Sequence, residues 1–133
     1  MSGRVLTASA LVDITTQRSV YGTAFLVAAV ELGLTLVAPS TALLQAWASV
    51  PPSDRALLEL LLAAPAVVVD ELDAATALRA GVRAHPVHET GRFDAAAAHA
   101  VDVALERGYS ILTSDPAPIW EIDPEVPIEE LPG

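Results

Sequence analysis

Residues 109–116 read Tyr-Ser-Ile-Leu-Thr-Ser-Asp-Pro, an apolar run that ends in Thr113, Ser114 and Asp115. A run this apolar is typical of a strand buried on both faces of a parallel sheet. Pro116 has no backbone N–H for a sheet hydrogen bond, so we expect the strand to end before it. The stretch predicts that Asp115 lies at the carboxyl edge of a parallel sheet, where α/β folds bind ligands.

Four more β-like runs alternate with Ala- and Leu-rich runs along the chain. This alternation predicts βαβ units with right-handed crossovers, and hence a three-layer α/β fold in a single domain over residues 1–133. The five predicted strands are residues 4–7, 34–38, 66–70, 109–113 and 126–131.

The intervening segments carry helix signals. Two helices are expected within residues 8–32, with a break near residues 17–19. Ser53 is expected to cap the next helix, which Pro65 ends.

Two longer helices are predicted in the second half of the chain. One begins at about Phe93 and ends at Gly108, a residue suited to the C-terminal cap. The other follows Asp70 and carries an apolar stripe on one face, formed by Leu72, Ala75, Leu78 and Val82.

The composition limits what the chain can do. It has 53% apolar residues and no cysteine, which excludes intrinsic disorder, disulfides and thiolate metal sites. No secretory signal is recognised, and the most apolar window, residues 24–38, is interrupted by Glu31, so a cytoplasmic protein without a membrane span is expected.

The formal charge of −10 disfavours RNA and DNA binding. Arg79 and Arg83, one helical turn apart, are interpreted as solvated.

Individual polar residues have ordinary structural interpretations. Asp115 could form an Asx turn, and Asp94 could complement the dipole of the helix it opens. Asp102, two turns later, is interpreted as solvated. His85 and His88 fall in a Pro-containing segment interpreted as a loop, and their spacing supports only a weak metal hypothesis. Neither a Gly-rich phosphate loop nor a G-x-S-x-G elbow is present.

Taken together, five segments resemble the PIN-like domains found as ribonuclease toxins of toxin–antitoxin pairs. The resemblance extends over nearly the whole chain, and its last block is the most specific. It implies a parallel sheet of about five strands in the order 3-2-1-4-5, with the first and fourth strands beside the site. The segments are residues 5–11, 34–41, 94–99, 107–108 and 112–116.

The same resemblance implies a site of four acidic side chains that hold Mg²⁺ or Mn²⁺ for phosphodiester cleavage. Asp94 matches the third acid and Asp115 the fourth. Thr7 stands at the first acidic position and Gln45 at the second. The charge facing a metal thus falls from −4 to −2, which weakens the attraction that holds a divalent ion.

Two function hypotheses follow. In the first, the chain is a non-catalytic pseudo-nuclease that binds a small antitoxin-type protein or a second copy of itself, and no resident cofactor is expected. In the alternative, it is a Mg²⁺- or Mn²⁺-dependent endoribonuclease that holds its metal weakly through Asp94 and Asp115. Ser9 and Ser114 are expected to support the site in either case.

Overall fold

The computed structural model describes residues 2–132, which form a three-layer α/β fold around one parallel sheet. Its five strands are β1 (Gly3–Leu6), β2 (Thr35–Pro39), β3 (Val67–Asp70), β4 (Ser110–Thr113) and β5 (Ile128–Glu130). They pair in the order β3-β2-β1-β4-β5, and every pairing is parallel. The predicted fold class and strand order are confirmed.

Helices cover both faces of the sheet. Within residues 2–132 they are α1 (Ala8–Thr16), α2 (Val20–Leu32), α3 (Ser40–Ser49), α4 (Arg55–Leu62), α5 (Ala74–His88), α6 (Ala95–Arg107) and α7 (Ala117–Ile122). None of these helices is long and apolar enough to cross a membrane.

Successive residues of the central strands point into two separate cores, because side chains alternate across a strand. Leu6 of β1 and Leu112 of β4 pack with α1, α3 and α4 on one side of the sheet. Val5 and Ile111, their neighbours in sequence, pack with α6 on the other side. All four side chains are buried, as expected for central strands of a parallel sheet.

The helix boundaries agree with several sequence signals. The break between α1 and α2 falls at Gln17, which adopts a left-handed conformation with φ 54°. Gly108 takes the left-handed C-cap position of α6 with φ 71°. The Ser53 prediction was wrong: Ser53 lies within a 3-10 turn, Pro52–Asp54, and α4 begins at Arg55. Pro52 cannot donate a backbone hydrogen bond and favours a tight first turn. Helix α7 was not predicted.

The apolar stripe that the sequence places on one face of α5 does not pack in the core. It is exposed, and the helix turns its opposite face inward. Small side chains on that inner face let α5 approach α6 closely, a choice that an apolar periodicity does not reveal. The exposed stripe is Leu72, Ala75, Leu78 and Val82, and the buried one is Thr76, Ala80, Ala84 and Val87.

Candidate functional site

A cleft of about 140 Å³ opens at the carboxyl edge of the sheet, beyond the ends of β1 and β4. Its lining includes Thr7, Ser9, Gln45, Asp94 and Asp115. The first two belong to the start of α1, the third to α3, the fourth to the start of α6 and the last to the turn after β4. The fold thus brings together the positions that the sequence singled out.

Thr7 is the N-cap of α1 rather than the last residue of β1. Its Oγ1 lies 3.1 Å from the carbonyl oxygen of Leu112 and 3.0 Å from Ser9 Oγ. A carbonyl oxygen only accepts, so the Thr7 hydroxyl donates to Leu112 and accepts from Ser9. It also accepts from the N–H of Ala10 at 3.5 Å. Both lone pairs of this oxygen are therefore engaged.

The hydroxyl network continues across the sheet edge to β4. Ser9 Oγ accepts from the backbone N–H of Ser114 at 3.0 Å and lies 3.1 Å from Thr113 Oγ1. Thr113 Oγ1 in turn accepts from the backbone N–H of Asp115 at 3.1 Å. The bonds fix the turn that presents Asp115, so Ser9 and Ser114 hold the backbone of the cleft.

Asp94 caps α6. Its Oδ1 accepts a hydrogen bond from the N–H of Ala97 at 3.1 Å, and its backbone is extended, as an N-cap residue requires. Asp94 thus precedes the first turn of α6, and one of its carboxylate oxygens serves as the cap. The side chain also lines the cleft.

The donor set of the cleft does not fit a tightly held Mg²⁺ or Mn²⁺ ion. The cleft offers two carboxylates, Asp94 and Asp115, and the neutral amide of Gln45. One Asp94 oxygen is used by α6, and Thr7 Oγ1 has no free lone pair. Among residues 2–132, His, Asp and Glu side chains form no group of three or more that could hold a metal ion. Such ions need several hard oxygen ligands and negative charge.

Comparison with known proteins yields a structural relative. No family model matches the sequence, and no curated protein does either. A chain in the crystal structure of VapBC2 from Rickettsia felis, bound to a DNA fragment from their promoter, aligns with a TM-score of 0.70 and 12% identity. The alignment covers 96% of this chain and 97% of that chain, and VapC is a PIN-domain toxin. This chain has a PIN-like fold.

The PIN-like domain contains a buried polar chain that the sequence interpretation missed. His99 on α6 is fully buried. Its Nδ1 lies 2.8 Å from Thr41 Oγ1 at the start of α3, and its Nε2 lies 3.0 Å from Asp70 Oδ1 at the end of β3. Arg107 approaches the other Asp70 oxygen at 3.7 Å. The sequence signals were the position of Asp70 at the end of a predicted strand and that of His99 in one of the segments of the PIN-like resemblance. The chain ties α3, α6 and β3 together behind the cleft.

The interpretation of Asp102 as a solvated residue was wrong. Asp102 is fully buried, not solvated, and it accepts hydrogen bonds from Arg79 and Arg83 of α5 at 2.9–3.2 Å. Glu106 binds Arg79 as well. Burial raises the pKa of Asp102, but hydrogen bonds from the two arginines outweigh it and hold the pKa below its ordinary value. The two arginines are thus engaged with α6.

His85 and His88 lie in the last turn of α5, not in a loop, because Pro86 is accommodated within the helix. His85 Nε2 pairs with Glu89 Oε1 at 3.0 Å, and the His88 ring meets Phe93 edge-on at 5.9 Å. Both histidine side chains thus contact residues that follow α5 closely in sequence, Glu89 and Phe93. The residues described here therefore provide no support for the weak metal hypothesis.

Proposed function

We propose that this PIN-like domain is a non-catalytic protein-binding module whose partner is a small antitoxin-type protein. The observation that carries the proposal is an extended apolar surface on α2 and α4 that the domain does not bury. The composition of the cleft supports the absence of nuclease activity. The likeness to a chain of the VapBC2 complex supports the kind of partner.

Helix α2 is almost entirely apolar, and most of its residues are exposed, although Phe25 and Leu26 are half-buried against the core. Gly22 and Ala29 are its only buried residues. Val20 and Leu32 at its two ends are 78% and 74% exposed. Contiguous exposed apolar surface of this kind marks protein-interaction sites. We therefore assign α2 to the partner-binding surface.

An apolar groove runs beside α2 where α1 and α4 approach it. Leu57 and Leu60 of α4 line this groove, and Leu60 is 70% exposed. Thr15 of α1 also lines the groove, and its buried Oγ1 has no hydrogen-bond partner among residues 2–132. The groove is lined mainly by leucine and other apolar side chains, so it suits a segment with apolar side chains.

A calorimetric titration of Mn²⁺ into the domain tests the non-catalytic part of the proposal. We expect no tight binding, because the cleft supplies two carboxylates and a hydroxyl that is already engaged. Asp115→Asn is the matched control. Tight binding by the parent that disappears in Asp115→Asn would refute the proposal.

A restoration variant tests the assignment of the two neutral positions. Thr7→Asp combined with Gln45→Glu brings the formal charge of the four side chains to −4, and we expect Mn²⁺ to bind the variant more tightly than the parent. Circular dichroism checks that it is folded. If the folded variant gains no affinity for Mn²⁺, the assignment of Thr7 and Gln45 is wrong.

The second candidate function is a metal-dependent endoribonuclease. It is favoured by the presence of Asp94, Asp115 and Gln45 in one cleft. It requires cleavage of RNA that depends on Mg²⁺ or Mn²⁺ and is abolished by Asp115→Asn. Absence of cleavage at high protein and metal concentrations would dismiss it.

Self-association is part of the proposal. We propose a second copy of the chain as a further partner of the domain, at a surface separate from the groove beside α2. In an acidic chain, a locally uncharged face is where like-charge repulsion opposes such a dimer least.

A further inference from the structure

Two hydroxyl residues follow β2 at the carboxyl edge of the sheet. Ser40 and Thr41 begin α3 directly after this strand. Ser40 Oγ accepts a hydrogen bond from the backbone N–H of Leu72 at 3.0 Å, so it fixes the loop after β3. Thr41 Oγ1 has a different neighbour, Nδ1 of His99 at 2.8 Å. A hydroxyl within hydrogen-bond reach of an imidazole nitrogen is half of the arrangement that activates a nucleophile.

The other half is the carboxylate of Asp70 at the end of β3, which lies 3.0 Å from His99 Nε2. A carboxylate oxygen only accepts, so Nε2 carries the proton, and Nδ1 of the neutral ring presents its lone pair to Thr41. The Thr41 hydroxyl therefore donates to His99. The imidazole is thus held in the tautomer that can take the proton of this hydroxyl.

Burial holds the three side chains in this arrangement. His99 is fully buried, so its ring has no room to turn toward solvent. Thr41 is half-buried, and the Asp70 side chain is 23% exposed, so both ends of the chain of hydrogen bonds reach the surface. A proton transferred to His99 would leave an imidazolium beside the Asp70 carboxylate, which stabilises that charge.

The N-terminus of α3 supplies donors for a developing oxyanion. The first N–H groups of a helix have no partner within the helix. Pro39, the N-cap residue of α3, has no side-chain oxygen to satisfy them. The N–H groups beside Thr41 and the positive end of the helix dipole are therefore placed to bind the oxygen of a carbonyl group under attack.

We propose that Thr41 is a site of covalent acylation, at which the hydroxyl takes an acyl group from a neutral activated ester. Thr41 Oγ1 attacks the carbonyl carbon while His99 Nδ1 takes the hydroxyl proton. The carbonyl then re-forms, the bond to the leaving alcohol breaks, and His99 returns the proton to the leaving oxygen. The products are an ester on Thr41 and the free alcohol, and His99 ends unchanged.

The surroundings of Thr41 determine which donor reacts and how far the reaction goes. Asp70 and the exposed Glu71 add negative charge near Thr41, and the whole chain carries −10, so a phosphate ester is repelled and a neutral ester is favoured. Because His99 is fully buried and its Nδ1 faces Thr41, water has no place beside this nitrogen, and the Thr41 ester should persist. The modification is stoichiometric and independent of partner binding at α2 and α4.

Acetylation by p-nitrophenyl acetate tests the proposal on the full chain. The chain contains neither lysine nor cysteine, the side chains that usually give background acylation. We expect a burst of about one p-nitrophenolate per chain, since a covalent intermediate that persists stops the reaction after one turnover. Peptide mass mapping should find the acetyl group on Thr41.

Variants separate an activated hydroxyl from an ordinary one. Thr41→Val should abolish the adduct, and Thr41→Ser, which keeps a hydroxyl, should retain it. Asp70→Asn removes the carboxylate that fixes the His99 tautomer, so we expect a burst at least about tenfold slower. Thr23→Val, at an exposed threonine of α2, is the matched control and should react like the parent. Circular dichroism checks that each variant is folded.

Two results would overturn the proposal. One is a folded parent that gains no acetyl group on Thr41 at millimolar probe, including the case in which only the exposed His85, the exposed His88 or the terminal amine reacts. The other is a folded Asp70→Asn variant that is acetylated on Thr41 as fast as the parent, because the hydrogen-bonded chain would then activate nothing. Mn²⁺ titration and partner binding are measured separately, so neither result bears on the proposed function.

Discussion

Asp102 on α6 is joined to α5 by ion pairs with Arg79 and Arg83. A fully buried carboxylate is unfavourable unless its charge and its lone pairs are satisfied. Arg79 and Arg83 supply both the opposite charge and the hydrogen bonds. The pKa of Asp102 is consequently held below its ordinary value. This single side chain therefore couples the stability of the domain to pH.

We expect Asp102→Asn to lower the free energy of unfolding by about 1.5–3 kcal/mol at neutral pH, because Asn keeps only one acceptor oxygen and loses the charge that strengthens the hydrogen bonds from the two arginines. A native pKa below the unfolded value of 3.8 means that the stabilisation is complete above 3.8 and is lost as the pH falls through the native pKa. Urea unfolding at neutral pH and at steps below 3.8 measures both effects. The gap between the two proteins should narrow in acid.

The exposed Glu125 provides the matched control for this prediction. Glu125→Gln also removes one carboxylate, and we expect its effect to stay within about 0.5 kcal/mol. If Asp102→Asn lowers the free energy of unfolding no more than Glu125→Gln does, the buried ion pairs of Asp102 make no net contribution to stability.

His99 should stabilise the domain through its two hydrogen bonds. We expect His99→Leu to lower the free energy of unfolding by about 1–3 kcal/mol, since it removes both hydrogen bonds of a fully buried side chain, one to Thr41 and one to Asp70. Denaturant unfolding measures the change. Thr41→Ala, which removes a single bond, should cost less, and an equal cost in both variants would contradict the prediction.

Asp115 could be found from the sequence because it follows a strand end, and the carboxyl ends of parallel strands meet at one edge. Asp94, which precedes α6, and Gln45, which lies within α3, were assigned to the cleft through the resemblance to PIN-like domains. The partners of His99 and Asp102 could not be found, because their bonds depend on which helices pack together. A side chain on an isolated helix gives no sign that another element will bury it.

At the scale of elements, α5 and α6 each contain or end at a glycine with a different role. We expect Gly108→Ala to lower the free energy of unfolding by about 1 kcal/mol, because its φ of 71° is strained for any residue with a Cβ. Gly81→Ala should raise it by about 0.4–1 kcal/mol, because Gly81 lies inside α5 with open space at its Cβ position. Thermal unfolding of both variants measures the pair. Equal signs would contradict the role given to one of them.

The strands and the break between α1 and α2 followed from apolar runs and turn residues. The orientation of α5 did not, because this helix has two stripes of uncharged residues, a large one and a small one. Periodicity favours the large stripe for the core. The structure buries the small one because Ala80 and Ala84 let α6 come close. How closely α5 and α6 approach each other determines which stripe of α5 is buried, and the spacing of apolar residues in the sequence does not contain this distance.

At the scale of the whole molecule, the charge distribution opposes nucleic-acid binding. The net charge is −10, and five of the seven arginines have a carboxylate partner. Paired arginines offer little attraction to a phosphate backbone. The five are Arg4, Arg79, Arg83, Arg92 and Arg107.

We therefore expect no measurable binding of single-stranded RNA at about 0.15 M salt, where screening leaves only local charge pairs effective. Fluorescence anisotropy of a labelled RNA during titration with the domain tests this expectation. The same titration at lower salt is the control for weak electrostatic attraction. Saturable binding that weakens as salt is added would reveal a basic surface that the ion pairs do not neutralise.

The central place of β1 governs how the newly made chain reaches its native state. β1 pairs with β2 near by in sequence, but its other neighbour is β4, with Arg4 opposite Ser110. During synthesis the first three strands therefore leave the ribosome before α6, which covers one face of the sheet, has been made. Contacts this distant in sequence make folding slow. The unfinished chain keeps apolar surface open for most of its synthesis, and a chaperone has its best opportunity to bind then.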